Sequence, residues 1–233
     1  MKKRAIAIVS GGLDSVTLAH LLASQGYELH ILAFDYGQKH SKELQYARDC
    51  ATRLGAAFNL VDLRSLAPLI GGSALTDRSV AVPHGHYAAE NMAVTVVPNR
   101  NAIFLSLAYG AAVSREAQLV AIGVHGGDHP IYPDCRPEFL EIFEKMEKKA
   151  IEGFGDKELK LYAPFSKTDK AGIVRQGAKI GVPFAQTWSC YEGGEVHCGR
   201  CATCFERREA FAKANVADPT IYAHLATYAA PQE

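Results

Sequence analysis

The sequence predicts an α/β fold: a doubly wound, mostly parallel sheet with a small C-terminal region attached. Three observations lead there. Short apolar runs alternate with segments of helical period over the first two-thirds of the chain, and glycine-rich turns close several of the runs. The links between successive elements are short, which implies right-handed crossovers and a sheet covered on both faces. A composition of 48% hydrophobic and 21% charged residues in 233 supplies a core of the necessary size.

Ala5–Val9 is an apolar run stopped by Ser10-Gly11-Gly12 and reads as a buried strand. From Asp14 to Gln25, Val16, Ala19, Leu22 and Ala23 recur at helical spacing, and Gly26 closes the helix. Glu28–Phe34 is the second strand. A helix from about Ser41 to Leu54 ends at Gly55, and Ala57–Asp62 is the third strand. Asn101–Arg115 is an Ala/Leu-rich helix, followed by a strand over Leu119–Val124 that ends at His125-Gly126-Gly127-Asp128. Residues 63–100 lack strong periodicity, and a connection of that length in a compact domain is usually functional or mobile. The rhythm breaks again after Pro183. The expected division is therefore a nucleotide-binding unit over 1–183 and a cysteine-rich region over 184–233, packed as a single structural unit.

Twenty-five Lys and Arg balance twenty-five Asp and Glu. A protein that grips nucleic acid phosphates normally carries a basic excess, so direct nucleic-acid binding is not expected. The basic start Met1-Lys2-Lys3-Arg4 precedes an apolar run too short for a signal peptide, which needs about 7–15 apolar residues. No stretch approaches the roughly 20 apolar residues of a membrane span. The expectation is a soluble, cytoplasmic protein.

The sharpest motif is Ser10-Gly11-Gly12-Leu13-Asp14-Ser15, between the first strand and the first helix. Glycines let the backbone approach a ligand and turn N–H groups toward it, and the helix start adds unpaired donors and positive dipole. Two serine hydroxyls add further donors, giving a phosphate nest that needs no lysine. Neither G-x-x-x-x-G-K-[ST] nor G-x-G-x-x-G is present, which excludes a Walker loop and a dinucleotide fingerprint. The string resembles the S-G-G-x-D-S signature of the PP-loop ATP pyrophosphatases, a Rossmann-like fold. The resemblance implies that Ser10, Gly11, Gly12, Leu13, Asp14 and Ser15 hold ATP, that Mg²⁺ neutralises the leaving pyrophosphate, and that a substrate is adenylated. Phe34, at the end of the second strand, is then a candidate for the adenine pocket; its position fits a core residue equally well.

Of six cysteines, four form Cys190-x7-Cys198-x2-Cys201-x2-Cys204. Such clustering in a reducing compartment points to metal rather than disulfides. Four thiolates suit one tetrahedral, structural Zn²⁺. The rival is an iron–sulfur cluster, but the fourth cysteine of a ferredoxin run is missing, since position 208 is Arg208. His197 sits beside a ligand without being needed as one. Between Cys190 and Asn215 four basic residues face four acidic ones, which gives no nucleic-acid footprint. Cys50, in an Ala/Leu helix, reads as core.

Further motifs follow in order: Phe34-Asp35-Tyr36-Gly37-Gln38-Lys39-His40, Val97-Pro98-Asn99-Arg100-Asn101, Tyr132-Pro133-Asp134-Cys135-Arg136-Pro137-Glu138-Phe139 and Pro164-Phe165-Ser166-Lys167. Together with the loop and the cysteines, they closely resemble the 7-cyano-7-deazaguanine synthases of the queuosine pathway. The resemblance implies a ligase that uses ATP to adenylate the carboxylate of 7-carboxy-7-deazaguanine. Ammonia then gives the amide, and a second activation gives the nitrile. It also suggests a homodimer. Alternatives are a PP-loop enzyme of the thiolation or lysidine-synthase type, which adenylates a base in RNA, and a non-catalytic nucleotide-binding module. Asp14, Arg100 and Lys167 are the expected catalytic residues, the two cations meeting phosphate or the substrate carboxylate. A guanine-like edge wants a carboxylate for its N–H donors. Asp128, Asp134 and Glu138 are candidates, with Arg136 as a weaker substrate contact. Cys135 beside Arg136 could serve as a thiolate, but that chemistry does not require one.

Overall fold

In a computed structural model describing residues 3–87 and 89–224, five strands form one parallel sheet in the order β3-β2-β1-β4-β5. The elements are β1 (Arg4–Ile8), α1 (Leu13–Ser24), β2 (Glu28–Asp35), α2 (Lys42–Leu54) and β3 (Ala57–Asp62). A one-turn α3 (Ala89–Met92), α4 (Arg100–Ser114), β4 (Leu119–Ala121) and α5 (Pro137–Ala150) follow. The chain then forms β5 (Lys160–Tyr162), α6 (Lys170–Lys179) and α7 (Ala202–Ala214).

The period of a strand explains the two layers. Ala5, Ala7 and Val9 turn to one face with Ile31, Ala33 and Ala121, where α1, α2, α6 and α7 cover them. Ile6 and Ile8 turn to the other face with Leu32, Phe34 and Val120, against Phe104, Leu105 and Tyr109 of α4 and Phe143 of α5. Strands buried on both sides have no polar face to alternate, which is why they read as continuous apolar runs. Ala5, Ala7, Ala33 and Ala121 are fully buried, and their small side chains keep the sheet surface under α1 shallow.

The expected strand over Leu119–Val124 stops at Ala121, because Ile122, Gly123 and Val124 run past the sheet edge and line a cavity instead. Five elements were not anticipated from periodicity: the one-turn α3, and α5, β5, α6 and α7. Among the described residues no helix is long and apolar enough to cross a membrane.

The C-terminal region joins the main core through α7 and also holds a small buried cluster of its own, Trp188 with Cys190, Cys201 and Cys204. Ala210, Phe211 and Ala214 of α7 join the cluster under α1, and the Phe211 ring meets Phe184 edge-on at 5.1 Å. A buried cation ties this region together. Arg207 is 1% exposed; it donates to the hydroxyls of Thr220, Thr187 and Ser189 and to the carbonyl of Phe184, and it pairs with Asp218 at 3.7 Å. Removing such a cation strands its acceptors, a loss of about 3–5 kcal/mol for a buried pair. Arg207→Ala should therefore lower the urea midpoint of the metal-loaded protein by that equivalent, and an unchanged midpoint would refute the role given to this network.

Candidate active site

Strand order reverses between β1 and β4, and α/β sheets bind ligands in the crevice outside the strand ends at such a point. A cavity opens there. Its floor is the loop after β1, and its walls come from the ends of β2 and β4, the start of α4, and α6 and α7.

The loop is held by its own hydroxyls. Ser15 Oγ accepts from the Ser10 amide at 3.2 Å and donates to the Gly12 carbonyl at 3.2 Å, and Ser10 Oγ accepts from the Gly12 amide at 3.3 Å. Gly11 sits at φ 89° with no room for a side chain: a Cβ there would collide with the Glu43 carbonyl and approach the Ala47 amide to 2.9 Å. The Gly11 carbonyl accepts from the Trp188 amide at 2.9 Å, so the C-terminal region fastens the loop from above. Gly12 then caps α1, whose first amides and dipole point into the cavity.

Facing the loop, Lys170 lies 3.3 Å from Asp14 and 2.5 Å from Glu206. Burial alone would lower its pKa, but Asp14, Glu206 and Asp128 together hold the ammonium above the usual lysine range. Burial raises the Glu206 carboxyl, an effect that Lys170 and His125 partly offset. His125 is 2% exposed. Its Nδ1 accepts from the Gly127 amide at 3.1 Å, which leaves the proton on Nε2, 3.5 Å from Asp128 and 4.0 Å from Asp14. Asp14 Oδ1 is buried with no hydrogen bond among the described residues. An orphaned carboxylate oxygen at a phosphate loop suits a divalent cation.

The other end of the cavity is aromatic. Phe34 and Phe104 stack at 4.1 Å, and the Arg100 guanidinium lies over the Tyr36 ring at 5.9 Å. Arg100 makes no ion pair within 4.0 Å among the described residues; burial opposes its charge, and the Asp134 carboxylate is among the groups that favour it. The Tyr36, Tyr191 and Tyr132 phenols line the cavity with it. Burial pushes all three phenols up, so they stay protonated. Glu43, on α2, accepts from Gln38 at 3.2 Å and also faces this cavity. Burial drives its carboxyl from 4.5 to about 7, with Arg100 and Gln38 pulling the other way.

Beside the cavity, the sulfurs of Cys190, Cys198, Cys201 and Cys204 lie within 4.8 Å of one another. Backbone amides point at them: Glu192 and Cys198 donate to Cys190 Sγ at 3.4 and 3.3 Å, and Arg200 and Cys201 donate to Cys198 Sγ at 3.4 and 3.2 Å. Amides aimed at sulfur favour thiolates, and the group is positioned to bind a metal. His197 is no ligand. It stacks on Trp188 at 4.3 Å and accepts from the Ser189 amide at 3.1 Å, and burial lowers its pKa to about 4.

The family model described as "Queuosine biosynthesis protein QueC" matches residues 4–215. The chain belongs to the QueC family. Relatives named 7-cyano-7-deazaguanine synthase include that of Ruegeria sp. (strain TM1040), 56% identical over 221 residues, which span 94% of this chain and 93% of the relative. That of Sinorhizobium fredii is 56% identical over 219 residues, 94% and 92% of the two chains. Among solved structures, a tRNA methyltransferase subunit from Methanocaldococcus jannaschii superposes with a TM-score of 0.48 at 14% identity, over 76% of this chain and 74% of that one.

In this QueC chain the expected site residues divide into two groups. Ser10, Gly12, Leu13, Asp14, Ser15, Phe34, Arg100 and Asp128 line the cavity. Lys167 is exposed, and the cavity's lysine is Lys170. Asp134 is occupied elsewhere, accepting from the Asn101 amide at 2.9 Å at the start of α4. Glu138 and Arg136 are exposed, and Arg136 donates to the His129 carbonyl at 2.9 Å. Cys135 is buried and its thiol is pushed up mainly by that burial, so it stays a thiol; burial likewise raises Cys50 to about 11. Lys170, Glu206, His125 and Glu43 were not singled out from the sequence. The signal for Lys170 was Asp169, whose carboxylate caps α6 by accepting from the Gly172 amide at 2.7 Å and so places Lys170 in the first turn.

Glu43 gives a pH-dependent consequence. Its folded pKa lies above the unfolded 4.5, so its favourable contribution is complete below about 4.5 and is lost as pH rises to about 7. The difference amounts to about 3 kcal/mol. Relative to Glu43→Gln, the ligand-free wild type should lose stability across that window in chemical denaturation at stepped pH; parallel profiles would contradict the assignment.

Proposed function

We propose that this chain converts 7-carboxy-7-deazaguanine into the nitrile 7-cyano-7-deazaguanine, using ATP and ammonia, as a step of queuosine biosynthesis. The observation that carries the reading is one cavity holding a phosphate nest with its own lysine at one end and an unpaired buried guanidinium at the other. Membership of the QueC family and relatives bearing the synthase name support it.

The substrate carboxylate attacks the α-phosphorus of ATP, and pyrophosphate is displaced as the acyl adenylate forms. Ammonia displaces AMP and gives the amide. In the second half the amide oxygen is adenylated, and loss of AMP and the nitrogen protons gives the nitrile. In this reading the nest of Ser10–Ser15 and the start of α1 hold the pyrophosphate, and Lys170 meets its developing charge as a fixed point charge. Glu206 and Asp14 keep Lys170 in place and charged. Arg100 turns its fork to the carboxylate, with no ion pair within 4.0 Å among the described residues to hold it elsewhere. The aromatic walls keep water from the reactive adenylate.

Mg²⁺ fits the orphaned Asp14 Oδ1, where it would screen the pyrophosphate. Zinc fits the four sulfurs: ligands about 2.3 Å from one ion sit near 3.8 Å apart, and Cys198 Sγ and Cys204 Sγ are 3.9 Å apart. A four-iron cube would stand between its thiolates and hold them farther apart than this set allows. We place the reaction in the cytoplasm, where four thiols stay reduced. The assembly in this reading is a homodimer, and α5 leaves Ile142 and Met146 exposed, one turn apart, as an apolar face such pairing would cover.

A mass-spectrometric assay with 7-carboxy-7-deazaguanine, ATP, Mg²⁺ and ammonium should show the nitrile and AMP; neither product would refute the proposal. ATP consumed only when tRNA is added would favour the RNA-modifying alternative. In the same assay Lys170→Met should lose about 10²–10³-fold in kcat, the scale of one electrostatic contact to the transition state, while Lys167→Ala stays within a few-fold. The protein should be colourless with one zinc per chain, and a visible absorption band after anaerobic purification would overturn zinc.

A further inference from the structure

The cavity contains more carboxylates than catalysis at the phosphate loop uses, and they are not equivalent. Asp14 and Glu206 are committed to Lys170. Asp128 accepts from the Tyr87 hydroxyl at 3.3 Å and the His125 amide at 3.2 Å, with the His125 ring beside it. Glu43 differs. One of its oxygens, Oε1, accepts from Gln38, while Oε2 makes no hydrogen bond and the residue forms no ion pair among the described residues.

The surroundings of Glu43 are rigid. Gln38 Nε2 also donates to the Phe34 carbonyl at 3.2 Å, and Gln38 Oε1 accepts from the Tyr36 amide at 2.9 Å, so the side chain that orients Glu43 is fastened to the end of β2. Arg100 and Glu43 line the same cavity, and the Arg100 charge acts on the Glu43 carboxyl with no ion pair between them among the described residues. A guanine-type edge presents a 2-amino group, N1–H and a 6-oxo oxygen in a row: two donors, then an acceptor. A carboxylate beside a guanidinium is the complement of that row.

We propose that Glu43 is the specificity residue of the site, accepting N1–H at Oε1 and the 2-amino group at Oε2, while the neighbouring Arg100 fork donates to the 6-oxo oxygen and the adjacent C7 carboxylate. This rests on the reading of the substrate as a 7-deazaguanine. It assigns Glu43 a role in recognising the base and none in activating it.

The assignment makes Glu43→Gln a change of specificity, not merely a loss. Gln38 keeps the carbonyl oxygen of the new amide at Oε1, so an N–H donor replaces Oε2. A 2-amino group is then repelled, and a 2-oxo group is accepted. The amide closely mimics the protonated acid, so the variant folds. The test compares kcat/KM for 7-carboxy-7-deazaguanine and 7-carboxy-7-deazaxanthine with saturating ATP, Mg²⁺ and ammonium. Wild type should prefer the guanine-type base by about 100-fold or more, because a mismatched base leaves buried polar groups unpaired. Glu43→Gln should reverse the order, and Glu43→Ala should bring the two within a few-fold. A Glu43→Gln variant that keeps the wild-type preference overturns the role of Glu43 and leaves the nitrile-forming reading intact. A wild type inert toward every 7-carboxy-7-deazapurine overturns that reading itself.

Discussion

The structure depends on how closely the backbone of the first loop approaches the backbone of α2. Gly11 lies against the Glu43 carbonyl and the Ala47 amide in a conformation that only glycine adopts without strain, so the loop is pressed onto a helix before any ligand arrives. That approach fixes two things at once. The following amides turn toward the crevice at the β1/β4 switch, and α2 presents Glu43 to the same cavity. The glycine loop and Glu43 are thereby referenced to one backbone contact, which is a strict way to set the distance between them. On the opposite side a Cβ at Gly123 would stand only 3.3 Å from the backbone of Asp14 and Ser15, so the segment after β4 confines the start of α1 as well.

Much of this was legible before any coordinates. Six of the seven elements anticipated from periodicity lie within one residue of their expected bounds, because apolar runs and helical periods closed by glycine turns carry strong local signals. The phosphate loop and the four cysteines were equally visible, since both are local strings whose chemistry is set by spacing. Apart from the one-turn α3, the missed elements lie between residues 137 and 214. There α7 begins inside the cysteine cluster, whose turn-forming glycines and ligand spacing mask a helical period, and β5 is only three residues long.

The site itself was half legible, for a physical reason. Residues brought in by the loop are neighbours in sequence, whereas Lys170, Glu206 and Glu43 meet the cavity only through α6, α7 and α2 packing on one sheet face. The sequence favours Lys167 as the cation of Pro164-Phe165-Ser166-Lys167, one of the strings that carry the family resemblance. The structure places Lys167 in solvent because Asp169 caps α6, and the first helical residue, Lys170, faces Asp14. Asp134 was misplaced for a similar reason: a carboxylate near a helix start is as useful to the unpaired amides of α4 as to a ligand.

The metal centre belongs to this account although none of its ligands faces the reaction. Cys201 precedes α7, Cys204 lies in its first turn, and Glu206 follows on the same helix, 2.5 Å from Lys170. Trp188, two residues before Cys190, donates to the Gly11 carbonyl and stacks beside His197. The four-cysteine group therefore controls the placement of one carboxylate and one clamp, both of which touch the phosphate side of the cavity. A short helix anchored only by apolar packing could rotate and carry Glu206 away from Lys170. Anchored by ligands at its first turn, α7 has its rotation set before Glu206 is reached, so the buried ammonium keeps both of its counter-charges. The four-cysteine group then works as a rigid wall of the cavity: it keeps its own small cluster with Trp188, while the helix it anchors runs on into the main core through Ala210, Phe211 and Ala214.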